Sequence, residues 1–373
     1  MKITANREAL LAAFQTAAPV APSRSPKEIL RNVKMTVTNE ETVLSATDTE
    51  VGVRLSVPQI DVAAPGSVLL PVDKFGLILR ESSVEQLAIE SDGNSIEVRG
   101  QHSRFKLPAQ NPDEFPEVVS FYEQSYHEVP ARLIRELVRR TLFATDTQSS
   151  RYALGGVLLE FEPERIIGVG TDGRRLAKME GPAVAHNDHK GGDGMTIVPS
   201  RAMQLIDRTV TEADAEIAIC ARNNDILVRT PRATIYARLV EGRFPRWRDV
   251  FPSRDNSLKI NLTVGPFYAA VRQAAILTSD ESRGLDLSFT TGNLTLSASA
   301  AEVGQSHVEL PIPYEGEQID VTLDNRYVAD FLKVLDLEKM IVVDVLDNES
   351  AVTFATDDGY DYVVMPLSRE GRR

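Results

Sequence analysis

Three groups of residues in this sequence have types and spacings that could do chemistry. Gly168-Val-Gly170-Thr-Asp-Gly173 has the spacing of a phosphate-cradling loop, in which glycines let a helix N-terminus approach a pyrophosphate. The segment that follows, Arg174 to Pro182, is short, alternates and ends in Gly-Pro, so it reads as a returning strand and not as a dinucleotide-binding helix. Asp48, Asp172 and the run Asp357-Asp358 with Asp361 could hold a magnesium ion in a phosphodiesterase. Asp48 and Asp172, however, occupy equivalent turns of a repeat in which the third copy has Ala300, which suits an Asx-type turn better than one convergent metal site. His186 and His189 lie three apart in a glycine-rich stretch with no convincing cysteine or carboxylate complement, which reads as a surface loop; His102, His127 and His307 are isolated. The single cysteine, Cys220, sits in the apolar strand Glu216-Ile-Ala-Ile-Cys-Ala221 as a core residue. There is no G-x-S-x-G elbow, phosphate-loop lysine or H-E-x-x-H helix, so the expectation is a protein with no active site, metal or cofactor.

The elements that carry these residues repeat. Leu44-Ser-Ala-Thr-Asp-Thr-Glu50-Val-Gly52 and Leu296-Ser-Ala-Ser-Ala-Ala-Glu302-Val-Gly304 share six of nine residues at an offset of 252. Near half that offset, Thr171-Asp172 follows Thr47-Asp48 by 124 residues. Pro71-Val-Asp-Lys-Phe75, Pro199-Ser-Arg-Ala-Met203 and Leu323-Asp-Asn-Arg-Tyr327 keep the same period, and Phe115-Pro116 becomes Phe244-Pro245. Each unit reads as helix, strands, helix, strands, with helices at about 6–18, 72–81, 131–143, 199–209, 265–277 and 324–336. The strands are short, rich in β-branched residues and separated by Gly, Asn and Asp, as in Ser95–Arg99, Ile226–Arg229, Ala233–Arg238 and Ala351–Phe354. Too few helices are present to cross over between parallel strands, so the class is α+β with antiparallel sheets. The expected domains are 1–125, 126–254 and 255–373, with a turn-forming connector at Pro252–Ser257 and a flexible loop at 186–194.

Composition narrows the function. At 373 residues with 42% hydrophobic and 25% charged residues, the chain can bury several cores. One cysteine supports no disulfide, the opening Met1-Lys-Ile-Thr-Ala-Asn-Arg-Glu8 is no export signal, and no stretch approaches 18 apolar residues, so a cytoplasmic location is expected. A net charge of −13 argues against coating nucleic acid over the whole surface. The charge is segregated, though: the six helices carry twelve basic and eight acidic residues, out of 41 and 54 in the chain. In the helix at 131–143, Ile134, Leu137, Val138, Thr141 and Leu142 form one apolar stripe, leaving Arg132, Arg135 and Arg139 on the other side.

The residues Ala46-Thr-Asp-Thr-Glu-Val51, Arg151-Tyr-Ala-Leu-Gly-Gly-Val157, Thr171-Asp-Gly-Arg-Arg-Leu-Ala177, Val240-Glu-Gly-Arg-Phe-Pro245 and Tyr362-Val-Val-Met-Pro366 resemble the bacterial DNA polymerase III beta subunit, the replicative sliding clamp, along the whole chain. The resemblance implies a DNA-clamp fold of three repeated domains with sheets outside and two helices each inside, and a homodimer closing into a ring around double-stranded DNA. It implies DNA contacts at Arg24, Lys74, Arg80, Gln148 and Tyr152, to which the exposed helix faces add Arg135, Arg139 and Arg201. It further implies a groove for short Leu/Phe-containing motifs of the replicative polymerase, clamp loader, repair polymerases and mismatch-repair proteins. Around that groove it places Leu154, Thr171, Gly173, Arg175, Leu176, Pro245, Val250, Val363, Val364, Met365, Pro366 and Leu367. Subunit closure would pair Phe105 and Leu107 with Ile276 and Leu277, with Arg104 and Lys106 facing acids such as Glu302. The other readings left open are a metal-dependent phosphodiesterase using Asp48, Asp172 and Asp358, and a monomeric repeat scaffold that binds peptide but not DNA.

Overall fold

The structure is a computed structural model and describes residues 1–148, 153–251, 257–301 and 303–367. All six helices form where the apolar periodicity places them: α1 (Arg7–Ala17), α2 (Val72–Glu81), α3 (Ala131–Thr141), α4 (Ser200–Thr209), α5 (Val264–Ala274) and α6 (Asn325–Lys333). Short 3-10 turns at Ala18–Val20, Leu142–Ala144 and Ala275–Leu277 extend the first helix of each repeat, which accounts for the longer spans expected from sequence. Caps fix the starts: Asn6 Oδ1 accepts from Ala9 N at 3.0 Å, and Asp324 Oδ1 accepts from Arg326 N at 2.9 Å. Phe14 of α1 and Phe75 of α2 meet edge to face at 5.2 Å, both fully buried, and this contact closes the first helix pair over its sheet.

The backbone contacts divide the chain into two units. One holds Met1–Ile134, Phe161–Glu164 and Ala183–Leu239. Its nine-stranded sheet runs, in spatial order, 184–186, 126–130, 216–221, 225–229, 233–238, 51–56, 42–47, 32–37 and 66–71. The pairing of Ala233–Arg238 with Val51–Ser56, in the register Ile235 opposite Val53, therefore joins strands of two successive repeats into one sheet. A second sheet in this unit runs 60–64, 2–6, 86–91, 95–99 and 104–108, so that Arg104–Pro108 is an edge strand.

The other unit holds Arg135–Glu160, Arg165–Pro182 and Val240–Arg373. Here Arg175–Pro182 pairs with Tyr360–Val364, again fusing two repeats by sheet continuation. The last four-stranded sheet runs 304–311, 293–300, 284–290 and 319–324, so Gly304–Pro311 is also an edge strand.

One expectation about the middle repeat is corrected. The stretch 187–194 is a loop with Asp188, Lys190, Asp193 and Gly194 exposed, but the histidines are not free at its surface: Val184–His186 pairs with Tyr126–Pro130, and His189 folds inward. His127, expected to be isolated, lies fully buried with its Nδ1 2.6 Å from Nδ1 of His189. Only one tautomer set fits. His127 Nε2 donates to the Glu162 carbonyl at 2.8 Å, so its Nδ1 accepts from His189 Nδ1–H, and His189 Nε2 accepts from Ala221 N at 3.1 Å. The two rings are 62 residues apart, and only the sheet pairing brings them together.

Candidate nucleic-acid interface and peptide groove

The glycines of the phosphate-loop pattern serve packing. A Cβ on Gly168 would lie 2.6 Å from Leu137 Cγ, and one on Gly170 would lie 2.2 Å from the Thr141 carbonyl oxygen, so both glycines let α3 seat directly on the strand Arg165–Thr171. Gly173 has φ +86°, the left-handed position of the turn that follows. That turn is built twice. Thr47 Oγ1 donates to Val51 O and accepts from Thr49 N, both at 2.9 Å; Thr171 Oγ1 donates to Arg175 O at 2.6 Å and accepts from Gly173 N at 3.0 Å. Asp48 and Asp172 each accept two backbone N–H groups in these turns, as expected of Asx geometry.

The carboxylates of the phosphodiesterase reading are each engaged by cations. Asp48 pairs with Arg201, Asp172 with Arg175, and Asp358 with Lys339 and Arg140. Burial works to raise the Asp358 carboxyl, but hydrogen bonds from Lys339, Thr356 and Arg140 outweigh it and hold the group at about 2. Among the described residues no group of three or more His, Cys, Asp or Glu is arranged to hold a metal. Cys220 is buried, and burial pushes its thiol up to about 11.

Of the twelve helical cations, ten are exposed; only Arg7 and Arg140 turn inward. On α3, Ile134, Leu137, Val138 and Thr141 are buried while Arg132, Arg135 and Arg139 are exposed. Arg132 pairs with Asp214 and Arg139 with Glu136 at 3.1 Å. Arg140, one residue on, is buried between Glu136 and Asp358 with its guanidinium 5.2 Å from the Tyr360 ring centre. Lys74 and Arg80 are exposed on α2, and Arg24 and Gln148 are exposed in loops. Arg201, also exposed, is tied down: it pairs with Asp48 and donates to the carbonyls of Pro19 and Val20 at 2.8 Å. Tyr152 lies outside the described residues.

The residues expected around a groove divide into buried and exposed ones. Strand pairing sets Thr171 opposite Leu176 and Leu176 opposite Val363, all buried on the face of the sheet away from α3; Leu154 is buried as well. Gly173, Val250, Met365 and Leu367 are exposed, and Pro245 and Pro366 are half-buried. Arg175 and Val364, one residue along each strand, turn to the opposite face. There Arg175 is anchored more firmly than the sequence suggests. It donates to Asp330 at 2.6 Å, Phe143 O at 2.9 Å and Asp172 at 3.1 Å, and its guanidinium lies 4.4 Å from the Tyr327 ring centre. Phe143, Tyr327 and Asp330 were not singled out from sequence; Asp330 is 155 residues from Arg175, with no local signal linking them.

At the two edge strands, Phe105 and Ile276 stand exposed, while Leu107 and Leu277 are half-buried. Arg104 is tied to Glu97 of the neighbouring strand, and Glu302 lies outside the described residues.

Comparison with known proteins accounts for this arrangement. Profiles of the N-terminal, central and C-terminal domains of the DNA polymerase III beta subunit match residues 1–119, 128–246 and 248–368. The Beta sliding clamp of Pseudomonas putida is 30% identical over 98% of this chain and 100% of its own length; that of Escherichia coli is 28% identical over the same shares. The crystal structure of a DnaN sliding clamp from Pseudomonas aeruginosa bound to griselimycin superposes with a TM-score of 0.91 at 28% identity, covering 99% of both chains. Three domain profiles in order along one chain, and relatives matched end to end, place this protein in the DNA polymerase III beta subunit family of sliding clamps.

Proposed function

We propose that two copies of this chain close head to tail into a ring around duplex DNA and, as the processivity factor of its family, tether a polymerase to the template without catalysing a reaction. The observation that carries the ring is the pattern of sheet edges. Within the chain, each junction between successive repeats is a continuous antiparallel sheet, through 233–238 with 51–56 and through 175–182 with 360–364. At the two ends of the series the strands 104–108 and 304–311 are sheet edges, beside exposed Phe105 and Ile276. A second copy would continue both sheets by the same kind of pairing and remove both edges. The repeats involved are taken as 1–125, 126–254 and 255–373.

A closed ring is retained by topology, so it needs no base-edge contact. Arg24, Lys74, Arg80, Arg135, Arg139, Gln148 and Tyr152 would exchange phosphates as the ring slides. An acidic exterior repels DNA over the 8–10 Å screening length and leaves the basic helix faces as the favourable region. Arg201 contributes instead by holding the chain just before the Arg24 loop.

The floor of Thr171, Leu176, Val363 and Leu154 with its Pro245, Val250, Met365, Pro366 and Leu367 rim suits Leu- and Phe-bearing segments of a replicative polymerase, a clamp loader and repair proteins. Met365 adapts its shape to more than one of them. Among the described residues no helix is long and apolar enough to cross a membrane, and a cytoplasmic location fits this role. Sedimentation of the pure protein tests the ring: a dimer is expected at micromolar concentration, and a monomer there would overturn it.

A further inference from the structure

The groove floor is one rung of a longer ladder. Side chains alternate across a sheet, so the rungs on the same face beyond Thr171, Leu176 and Val363 are Val169, Lys178 and Asp361, then Ile167 and Glu180. Successive rungs lie about 7 Å apart. Over the two outer rungs sits a recess of about 250 Å3, floored by Ile167, Lys178, Glu180 and Asp361 and walled by Trp247, Arg248, Phe251 and Arg165, the last paired with Glu180 at 3.6 Å. Its wall belongs to the same segment, 245–251, that supplies Pro245 and Val250 to the groove, so one piece of chain borders both.

The recess is held in shape before anything enters it. Trp247 and Phe251 meet edge to face at 6.0 Å. Trp247 Nε1 donates to Glu160 Oε1 at 3.0 Å, and Arg248 grips the same carboxylate at 3.0 and 2.6 Å with its guanidinium 4.2 Å from the indole centre. Lys178 is matched by Asp361 at 2.9 Å and Glu180 at 3.1 Å. With these charges already paired, a charged newcomer would lose water and gain no partner. The apolar surface left to offer contact is chiefly the half-buried Phe251 ring, with the buried Ile167 and Trp247 side chains beside it.

We propose that the recess is a further subsite of the groove, taking a neutral aliphatic or aromatic side chain that flanks the docking motif of a partner's extended segment. An extended chain covers about 3.3–3.6 Å per residue, so the one or two rungs correspond to two to four residues from the motif. This rests on the groove reading above.

Trp247 is the only tryptophan in the chain, so its emission reports the recess directly. The full-length protein is titrated with a short Leu/Phe docking peptide, with the same peptide lengthened by four residues at either end carrying one Leu two to four positions out, and with Asp in place of that Leu. One Leu-bearing extension should bind roughly tenfold tighter than the short peptide, from partial burial of one side chain. That same extension should change the Trp247 emission, and the Asp version should do neither. Phe251→Ser should abolish the gain and leave the short peptide's affinity unchanged. Equal affinity of short and long peptides with unchanged emission would overturn the subsite while leaving the groove standing, and a gain with Asp would overturn its apolar character. Failure of the short peptide to bind would overturn the groove and the subsite together.

Discussion

Removing the Ile276 side chain should open the ring while leaving the protomer intact. Ile276 is 70% exposed in the single chain, next to an edge strand whose outer side no described strand covers. Fully burying an Ile side chain is worth about 1.5–3 kcal/mol, so covering the exposed part against a second copy stabilises each interface by about 1–2 kcal/mol. Ile276→Ala keeps the Cβ and loses about 1–1.5 kcal/mol per interface. A twofold ring has two identical interfaces, which makes the total about 2–3 kcal/mol, or a dimer dissociation constant raised roughly 30- to 150-fold. Analytical ultracentrifugation across a dilution series measures this. A change in the protomer's own unfolding free energy should stay within about 0.5 kcal/mol, because the side chain buries little in the isolated fold. A dissociation constant unchanged by the substitution would refute the assignment of this surface to subunit closure.

Other consequences follow from the packing and the buried charges. Gly170→Ala should destabilise by about 3 kcal/mol, the upper end for overpacking, because the new Cβ meets the Thr141 carbonyl at 2.2 Å, whereas Gly194→Ala, with nothing within 4 Å, should be neutral in a denaturant titration. Burial lowers both His127 and His189 from the ordinary value of 6.5, so the unfolded chain binds more protons below neutrality. Their contribution is therefore complete above about pH 6.5 and lost as pH falls toward the lowered folded values; His127→Leu should flatten the thermal stability profile between pH 7 and 5, and an unaltered profile would contradict the buried neutral pair. Arg175→Ala leaves Asp330 and the Phe143 carbonyl without their cation and should cost about 3 kcal/mol by chemical denaturation, with weaker binding of a Leu/Phe docking peptide; wild-type values for both would remove Arg175 from the support of the groove.

What could be read from the sequence was what depends on neighbours along the chain. The apolar stripe of α3 follows from 3.6-residue spacing, and the twin turns at Thr47-Asp48 and Thr171-Asp172 follow from local side-chain-to-backbone bonding, so both appear as expected. The hidden parts depend on pairing between distant strands. His127 gave no sign of its partner because that partner arrives through the strand Val184–His186, and Arg140 looked like one more member of an arginine row until Asp358 met it from 218 residues away. The recess beside the groove was equally invisible, since Ile167, Lys178 and Asp361 share a face only once three strands are in register.

The claim that attachment comes from encirclement is tested by retention on DNA of two topologies. The protein, assembled on a nicked circular plasmid by a clamp loader and freed of unbound protein by gel filtration, is followed before and after one restriction cut. The account predicts that it stays with the circle in moderate salt and is lost over the ends once the circle is opened. Equal retention on circular and linear DNA would contradict it.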